Sequence, residues 1–184
     1  MITDLDSIGK DTTSKVLPKK GKGYRTGNDS IKSWVPEKTQ LDDVLAIEYK
    51  DKVKDKLVRV AYQYEINVNY LGRKTKAIPY TFEDALVLSN ITLFKSKTSA
   101  TGLIKKMADA VNKPTIIKAC QEMFNALSKN SKKAEMALEL LYTTEPNELE
   151  PPQYIKEGLE WLQEQLKNKH KDYVLQNNTE GGQA

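Results

Sequence analysis

The residue types that carry most enzyme chemistry are sparse in this chain of 184 residues. It contains one histidine, His170, and one cysteine, Cys120, so no His/Cys group has the spacing of a metal site. A Ser-His-acid triad would have to use His170, which lies in a polar segment after the last predicted helix. The sequence also lacks the glycine patterns of nucleotide-binding loops. Catalysis by a pair of carboxylates is not excluded by the sequence, because any two acidic residues can come together in a fold. The sequence therefore predicts a protein that is not an enzyme, with no catalytic residue, no bound metal and no cofactor.

Basic residues are concentrated near the N-terminus, among Gly, Ser, Thr and Pro and without an apolar period. Residues 1–37 are therefore predicted to form a disordered basic arm, because they offer too little apolar surface to offset the entropy of ordering. Such an arm would bind phosphate on RNA or on an anionic lipid surface. The alternative is a solvated leader that keeps the protein soluble. The side chains assigned to phosphate or lipid binding are Lys15, Lys19, Lys20, Lys22 and Arg25.

A short motif of a different kind lies near the C-terminus, where Pro151, Pro152 and Tyr154 form the pattern PPxY. This pattern is a ligand of WW domains, because the paired prolines adopt polyproline II and the tyrosine fills a pocket. A WW-domain protein is therefore one predicted partner. The alternative is an ordinary helix start with Tyr154 packed inward.

The clearest element that could position these groups is the stretch 57–71. Every second residue from Val58 to Tyr70 is large and apolar or aromatic, which predicts one long strand with a buried face and a solvated face. If its tyrosines at 62, 64 and 70 were exposed, they would offer a stacking platform for single-stranded nucleic acid. The basic side chains assigned to that surface are Arg73, Lys74, Lys95 and Lys97.

Helical patterns dominate the second half of the chain. A capping box at Thr81 predicts the start of a helix, and the apolar run Ile91–Phe94 predicts a short strand. Three further helices are predicted before the last one, and Cys120 lies on the apolar stripe of the second of these three. The next helix is predicted to turn Ala134, Ala137, Leu138 and Leu141 inward, and the last one carries Ile155, Leu159, Leu162 and Leu166 on one face.

The predicted fold class is α+β, with a small antiparallel sheet built on the long strand (about 57–71) and packed by four to five helices. Residues 38–166 would form this single domain, followed by a disordered polar tail at 167–184. Apolar residues make up 39% of the chain, the net charge is +4, and no apolar run is long enough to span a membrane. We therefore expect a soluble protein of a reducing compartment, with at most peripheral contact to membranes.

The segments AYQYEINVNY, LGRKTKAIPY and TFEDALVLSN follow the basic arm as strand, turn and helix start. In this order they resemble the opening of the rhabdovirus matrix protein fold. Proteins of that family condense the ribonucleoprotein, bind the inner face of the membrane and self-associate. The resemblance implies that Lys19, Lys20, Lys22 and Arg25 belong to the basic arm of such a protein.

This resemblance implies a non-enzymatic, viral matrix-like structural protein that binds nucleoprotein or RNA and an anionic membrane surface. It would form homo-oligomers and would be located in the host cytoplasm and the virion. The alternative is a single-stranded nucleic-acid-binding protein that uses an aromatic and basic surface on the sheet. The direction of the strand tyrosines separates the two hypotheses, because burial of their rings removes the stacking platform.

Overall fold

The computed structural model describes residues 1–34, 38–129 and 132–180. In these ranges the chain combines helices with short strands, so the mixed class is confirmed. The described strands are β1 (Ser7–Ile8), β2 (Arg25–Thr26), β3 (Val53–Lys54), β4 (Val58–Arg59), β5 (Ile66–Tyr70) and β6 (Arg73–Ala77). The described α-helices are α1 (Asp29–Trp34), α2 (Leu41–Leu45), α3 (Phe82–Ser89), α4 (Ile91–Ser96), α5 (Gly102–Ala110), α6 (Ile116–Ser128), α7 (Lys133–Thr143) and α8 (Gln153–Glu180).

The described strands pair into three separate antiparallel sheets of two strands each: β1 with β2, β3 with β4, and β5 with β6. The prediction of one long strand at 57–71 was therefore wrong. Only β5 keeps the predicted alternation, with Val68 and Tyr70 buried between exposed asparagines. The turn Leu71-Gly72 joins β5 to β6, and both residues have the positive φ that a tight hairpin turn requires.

Residues 60–63 are buried on both faces, which explains why the predicted half-wet strand does not form there. Val60 and Tyr62 belong to one apolar cluster, whereas Ala61 belongs to a second cluster that includes Tyr154 of α8. Small side chains such as alanine leave room for another segment to pack on the face that the alternation assigns to solvent. The stretch therefore runs through the middle of the protein.

The segment 1–34 is part of the folded protein, so the prediction of a disordered arm was wrong for these residues. Leu5 and Ile31 are fully buried in the cluster around Tyr62, and Leu17 packs into the main core. The pattern was misleading because these few apolar side chains are widely spaced along a polar segment. Residues 35–37, which belonged to the predicted arm, lie outside the described range.

The main core lies between β5, β6 and the helices α3 to α7. The capping box predicted at Thr81 is confirmed, since Thr81 and Asp84 exchange hydrogen bonds at the start of α3. The run Ile91–Phe94 begins helix α4, so the predicted strand was wrong there. A run of four apolar residues does not distinguish a buried strand from a buried helix, and tertiary packing decided between them.

The last two helices do not bury the residues that their patterns indicate. Helix α7 buries Met136 and Leu140 and exposes Leu138 and Leu141, which were predicted to face inward. Helix α8 extends to Glu180, so the disordered tail predicted from residue 167 is helical to that point, and 181–184 lie outside the described residues. None of the described helices is long and apolar enough to cross a membrane.

Candidate acidic site

The N-terminal segment carries two acids to the centre of the protein. Ile2 forms a parallel bridge with Ala61, and the Thr3 N–H donates to the carbonyl of Ala61 at 3.0 Å. Asp4 and Asp6 follow directly along the chain. They therefore directly follow the bridge to Ala61, and both residues are half-buried.

The side chain of Gln63 fixes Asp4. Gln63 is fully buried, and its Nε2 donates to Asp4 Oδ1 at 2.5 Å and to the hydroxyl of Tyr154 at 3.2 Å. Its Oε1 accepts the N–H of Leu5 at 2.7 Å. A buried amide with all these partners holds one geometry, so the Asp4 carboxylate has a defined position.

The pKa of Asp4 shows which charges surround it. Burial raises this pKa above its usual value, and the hydrogen bond from Gln63 and the charge of Lys133 lower it. The charges of Glu83 and Asp6 raise it again. Asp4, Asp6, Glu83 and Lys133 therefore share one electrostatic neighbourhood, although they come from three distant parts of the chain.

The backbone of Asp6 is in the left-handed region, with φ of 48°. The N–H of Gly27 donates to the Asp6 carbonyl at 2.6 Å, and a Cβ at position 27 would lie only 3.0 Å from that oxygen. The close approach of a glycine thus holds Asp6 in a conformation that non-glycine residues rarely adopt.

Helix α3 brings Glu83 to the same place. The Thr81 hydroxyl donates to Glu83 Oε2 at 2.7 Å, and Lys133 Nζ lies 2.8 Å from the same oxygen. The Glu83 side chain is largely buried, and Lys133 is the first residue of α7. One cation therefore pairs with the acidic group at Glu83.

Asp84, the next residue, has a structural role. Its carboxylate accepts the N–H groups of Tyr80 and Thr81, each at 2.7 Å, and closes the first turn of α3. Burial raises the pKa of Asp84 to about 7, and the backbone hydrogen bonds oppose this rise. Asp84 thus holds Glu83 in place and has no free surface for a ligand.

Tyr80 adds an unpartnered polar group to the site. The residue is 2% exposed, and its hydroxyl has no hydrogen-bond partner in the described part of the chain. Burial raises the pKa of Tyr80 to about 12, and the charges of Asp6, Asp84 and Asp4 raise it in the same direction. A buried hydroxyl without a partner beside carboxylates is a position where a bound water or ligand is expected.

The donor set suits a hard divalent cation, because carboxylate oxygens are the ligands that Mg²⁺ and Ca²⁺ prefer. Over the ranges 1–34, 38–129 and 132–180, no three His, Cys, Asp or Glu side chains are placed to hold one metal ion. Mg²⁺ is usually held by one or two carboxylates, while water and substrate phosphates complete its coordination. One or two carboxylates of this site, completed by water and a phosphate ligand, would be enough to hold such a cation.

The residues predicted to bind phosphate lie on the surface of the folded N-terminal segment. The four lysines are exposed, and Lys20 Nζ lies 3.2 Å from Glu65. Arg25 is half-buried and donates to the carbonyl of Thr12. They are therefore available as fixed surface charges. The four lysines are Lys15, Lys19, Lys20 and Lys22.

The four basic residues assigned to a nucleic-acid surface are not all free to bind. Arg73 and Lys74 are exposed on β6, and Lys95 Nζ lies 5.7 Å from the ring centre of Tyr70. Lys97 Nζ donates to a carbonyl at the end of α7 at 2.7 Å, so it holds two helices together. The structure brings the first three near one hairpin and leaves Lys97 apart.

The strand tyrosines do not form a stacking platform. Tyr62 and Tyr70 are buried, with their hydroxyls bonded to backbone carbonyls. Tyr64 is half-buried and donates to Glu157 at 2.5 Å. The rings required by the alternative sequence hypothesis are therefore part of the protein interior.

The PPxY motif is also largely packed. Pro151 is exposed, but Pro152 is buried and Tyr154 is 4% exposed. The Tyr154 hydroxyl accepts its hydrogen bond from Gln63, inside the site described above. A WW domain needs an exposed tyrosine, so this conformation does not present the motif, and the predicted inward packing is the one observed.

Sequence reasoning did not identify Asp4, Asp6, Tyr80 or Lys133, and it assigned Glu83 only to the charge at a helix start. One signal was present, because Asp4 and Asp6 are two positions apart and side chains with this spacing lie on one side of an extended chain. Lys133 and Tyr80 carried no local signal.

Comparisons with protein-family models, with curated proteins and with solved structures found no match to this chain. Its function is therefore inferred from the geometry and charge of the site.

Proposed function

We propose that this chain binds a divalent cation of the Mg²⁺ type through one or two carboxylates of the acidic site formed by Asp4, Asp6 and Glu83, and hydrolyses a phosphate ester of a nucleic acid there. The observation that carries this proposal is the electrostatic neighbourhood that these carboxylates share with Lys133, which pairs with Glu83, beside the buried Tyr80 hydroxyl that has no partner among the described residues. This proposal replaces the expectation of a protein that is not an enzyme, which depended on the absence of His and Cys motifs.

The reactants would be water and a phosphodiester. A cation held by the acidic site would lower the pKa of a coordinated water and would withdraw electron density from the phosphoryl oxygens. The water oxygen forms a bond to phosphorus, the bond from phosphorus to the leaving oxygen breaks, and that oxygen takes up a proton. Lys133 would stabilise the negative charge that develops on the phosphoryl oxygens, and the Tyr80 hydroxyl would donate a hydrogen bond.

The charge of the remaining surface supports a nucleic acid as the substrate class. The chain has a net charge of +4 although it concentrates acids at the site. Exposed cations on the N-terminal segment and on β6 would attract a polyanion and neutralise its backbone. These exposed cations include Lys19, Lys20, Lys22, Arg73 and Lys74.

The first test is calorimetric titration of the full chain with Mn²⁺, using Asp6→Asn and Glu83→Gln. Asp109→Asn is a matched control, because Asp109 pairs with Lys105 on the surface of α5. We expect each site variant to bind Mn²⁺ at least about tenfold more weakly than the control, as for loss of a metal ligand or its support. Equal binding by all variants would overturn the cation site.

The second test is cleavage of single-stranded and duplex DNA and of RNA, with Mg²⁺, with Mn²⁺ and with a chelator. Cleavage that needs the cation and is lost in Asp6→Asn would support the proposal. Binding of Mn²⁺ without cleavage of any of these substrates would keep the cation site and overturn the phosphate-ester chemistry.

A matrix-like structural role is the second candidate, and exposed cations on the folded segment 1–34 together with exposed leucines on α8 favour it. In this role the lysines would bind an anionic membrane or RNA, each adding about 1 kcal/mol near such a surface. Because the segment is folded, charge reversal tests it better than deletion. Loss of binding to anionic liposomes in Lys19→Glu/Lys20→Glu/Lys22→Glu, with Mn²⁺ binding unchanged, would favour this candidate over the first.

A further inference from the structure

A small cavity lies between the folded N-terminal segment, strand β6 and the first turns of helix α6. Its volume is about 180 Å³. Its apolar lining includes Leu17, Ala77, Ile78, Ile116, Ile117 and Cys120. Asp4, Asp6 and Glu83 do not line it, so we call it the lysine-rimmed cavity and treat it as separate from the acidic site.

The lining of this cavity favours an aliphatic group. Leu17, Ala77 and Ile116 are buried, whereas Ile117 is 67% exposed at the mouth. Among the described residues that line the cavity, none carries an aromatic ring, a hydroxyl or an amide side chain. A nucleobase is recognised by hydrogen bonds to its edges and by stacking on aromatic rings. A saturated carbon chain needs neither and fits this lining better.

The mouth of the cavity is short of negative charge. Lys19, Lys20 and Lys76 line it, and Glu65 is the acid beside them. Glu65 Oε2 lies 2.9 Å from Lys76 Nζ and 3.2 Å from Lys20 Nζ. Hydrogen bonds from Lys76 and Lys20 hold the pKa of Glu65 below its usual value, so this carboxylate is charged at neutral pH. Three ammonium groups therefore share one carboxylate, and a second anion would be attracted to the mouth.

The volume limits the length of the group that can enter. An apolar cavity of about 150 Å³ takes up benzene, a molecule of six carbons. At 180 Å³ the lysine-rimmed cavity has room for a chain of similar size. The much longer tails of a bilayer lipid would not fit inside it.

We propose that the lysine-rimmed cavity binds an aliphatic carboxylate with a tail of about six carbons. The tail lies along the apolar lining, and the carboxylate accepts hydrogen bonds from the ammonium groups of Lys19, Lys20 and Lys76. Binding is non-covalent, and it is independent of the cation site because the two sites share no lining residue.

The first test is calorimetric titration of the full chain with propanoate, pentanoate, heptanoate and nonanoate. Each methylene buried in the cavity should strengthen binding about fourfold. The gain should level off beyond heptanoate, because the cavity is then full. Uncharged 1-heptanol has the same chain without the carboxylate and should bind more weakly than heptanoate.

A matched pair of double variants tests the role of the lysines. Lys19→Gln/Lys76→Gln should weaken heptanoate binding about fivefold, since exposed charge pairs contribute modestly, and should leave 1-heptanol binding unchanged. Unchanged binding of 1-heptanol also shows that the cavity is intact. Lys22→Gln/Lys74→Gln is the control, because it removes the same charge at exposed positions of the same segment and the same strand, outside the cavity.

Cys120 offers a readout at the site itself, because it lines the cavity and is the only cysteine of the chain. It is 6% exposed, and burial raises the pKa of its thiol to about 12, so alkylation by iodoacetamide should be slow. Saturating heptanoate should slow the alkylation at least about fivefold further, since the tail closes the path to the thiol.

Three outcomes would overturn the proposal. The first is no saturable binding of heptanoate, or binding that leaves the alkylation rate of Cys120 unchanged. The second is equal binding of heptanoate by the two double variants, because the lysines at the mouth would then have no special role. The third is protection of Cys120 by anionic phospholipid vesicles but not by heptanoate, which would assign the cavity to a membrane lipid.

Discussion

The ammonium of Lys133, at the first position of α7, lies 2.8 Å from the carboxylate of Glu83 in the first turn of α3. The start of a helix carries a partial positive charge, so a lysine at this position is unfavourable for its own helix. Its contact with Glu83 and its effect on Asp4 supply the compensating interaction. The placement of Lys133 is thus explained by the acidic site and not by α7.

Replacing Lys133 by Met is expected to raise the pKa of Asp4 further, because the charge of Lys133 lowers it. The free energy of unfolding should change by less than about 1 kcal/mol, since the Lys133 side chain is 40% exposed and its pairing is screened by solvent. NMR titration of the Asp4 carboxyl carbon measures the shift. Lys105→Met, which breaks the surface pair with Asp109, is the control, and equal titration of Asp4 in both variants would contradict the prediction.

Asp84 is expected to make stability fall as pH rises from about 4 to 8. Its folded pKa of about 7 lies above the ordinary 3.8, so the folded state binds the proton more tightly in this range, and raising the pH favours unfolding. Asp84→Asn should remove this slope and cost about 1 kcal/mol at pH 5, because an amide satisfies only one of the two capped N–H groups. Urea unfolding at a series of pH values measures both effects. If the free energies of unfolding of Asp84→Asn and wild type differ by the same amount at every pH, the prediction is wrong.

Lys52 is expected to change the pH dependence of folding stability in the alkaline range. Its ammonium lies 4.2 Å from the ring centre of Tyr62 and 4.8 Å from that of Tyr64, and burial lowers its pKa to about 8. The unfolded chain then binds the proton more tightly, so Lys52 makes stability rise with pH between about 8 and 10. In Lys52→Met this rise of stability with pH should vanish. The free energy of unfolding at pH 7 should change by less than about 1 kcal/mol, because the loss of the cation–π contact offsets the gain from removing a buried charge. Thermal unfolding between about pH 8 and 10 tests this prediction, with Lys54→Met as the exposed control. If stability rises with pH in Lys52→Met as steeply as in wild type, the prediction is refuted.

Tyr154 is expected to be a core residue and not a WW ligand. Tyr154→Phe removes only the hydrogen bond from Gln63 and should cost about 1 kcal/mol, whereas Tyr154→Ala should cost about 3–5 kcal/mol through the cavity it leaves. Urea unfolding gives both values. A WW domain should capture a short peptide containing PPQY but not the folded chain, and equal capture of both would show that the motif is exposed in solution.

Asp6→Gly separates the stability of the site from its function. Glycine adopts the positive φ of position 6 without strain, so the free energy of unfolding should stay the same or rise by up to about 1 kcal/mol. Loss of the carboxylate should nevertheless weaken Mn²⁺ binding as Asp6→Asn does. Denaturant unfolding and calorimetry on one preparation test the two effects, and a strongly destabilised variant would mean that the side chain of Asp6 has a structural role.

The sequence by itself determined the features that depend on neighbours a few residues away. The capping box at Thr81 and the alternation within β5 follow from local hydrogen bonds and from the two-residue period of a strand. The apolar stripe of α6 follows from the helical period, and Cys120 and Met123 are buried as predicted, whereas Ile117 of the same predicted stripe is 67% exposed.

Only the tertiary structure decided which apolar faces are covered and which acids meet. The pattern of α7 marks Leu138 and Leu141 as one face of a helix, but whether that face is buried depends on what the rest of the chain packs against it. Gln63 and Asp4 are 59 positions apart, and their hydrogen bond forms only when the first residues pair with the chain beyond β4. Such contacts depend on the path of the whole chain, because the free energy of burial depends on which groups come together in space and not on their order in the sequence.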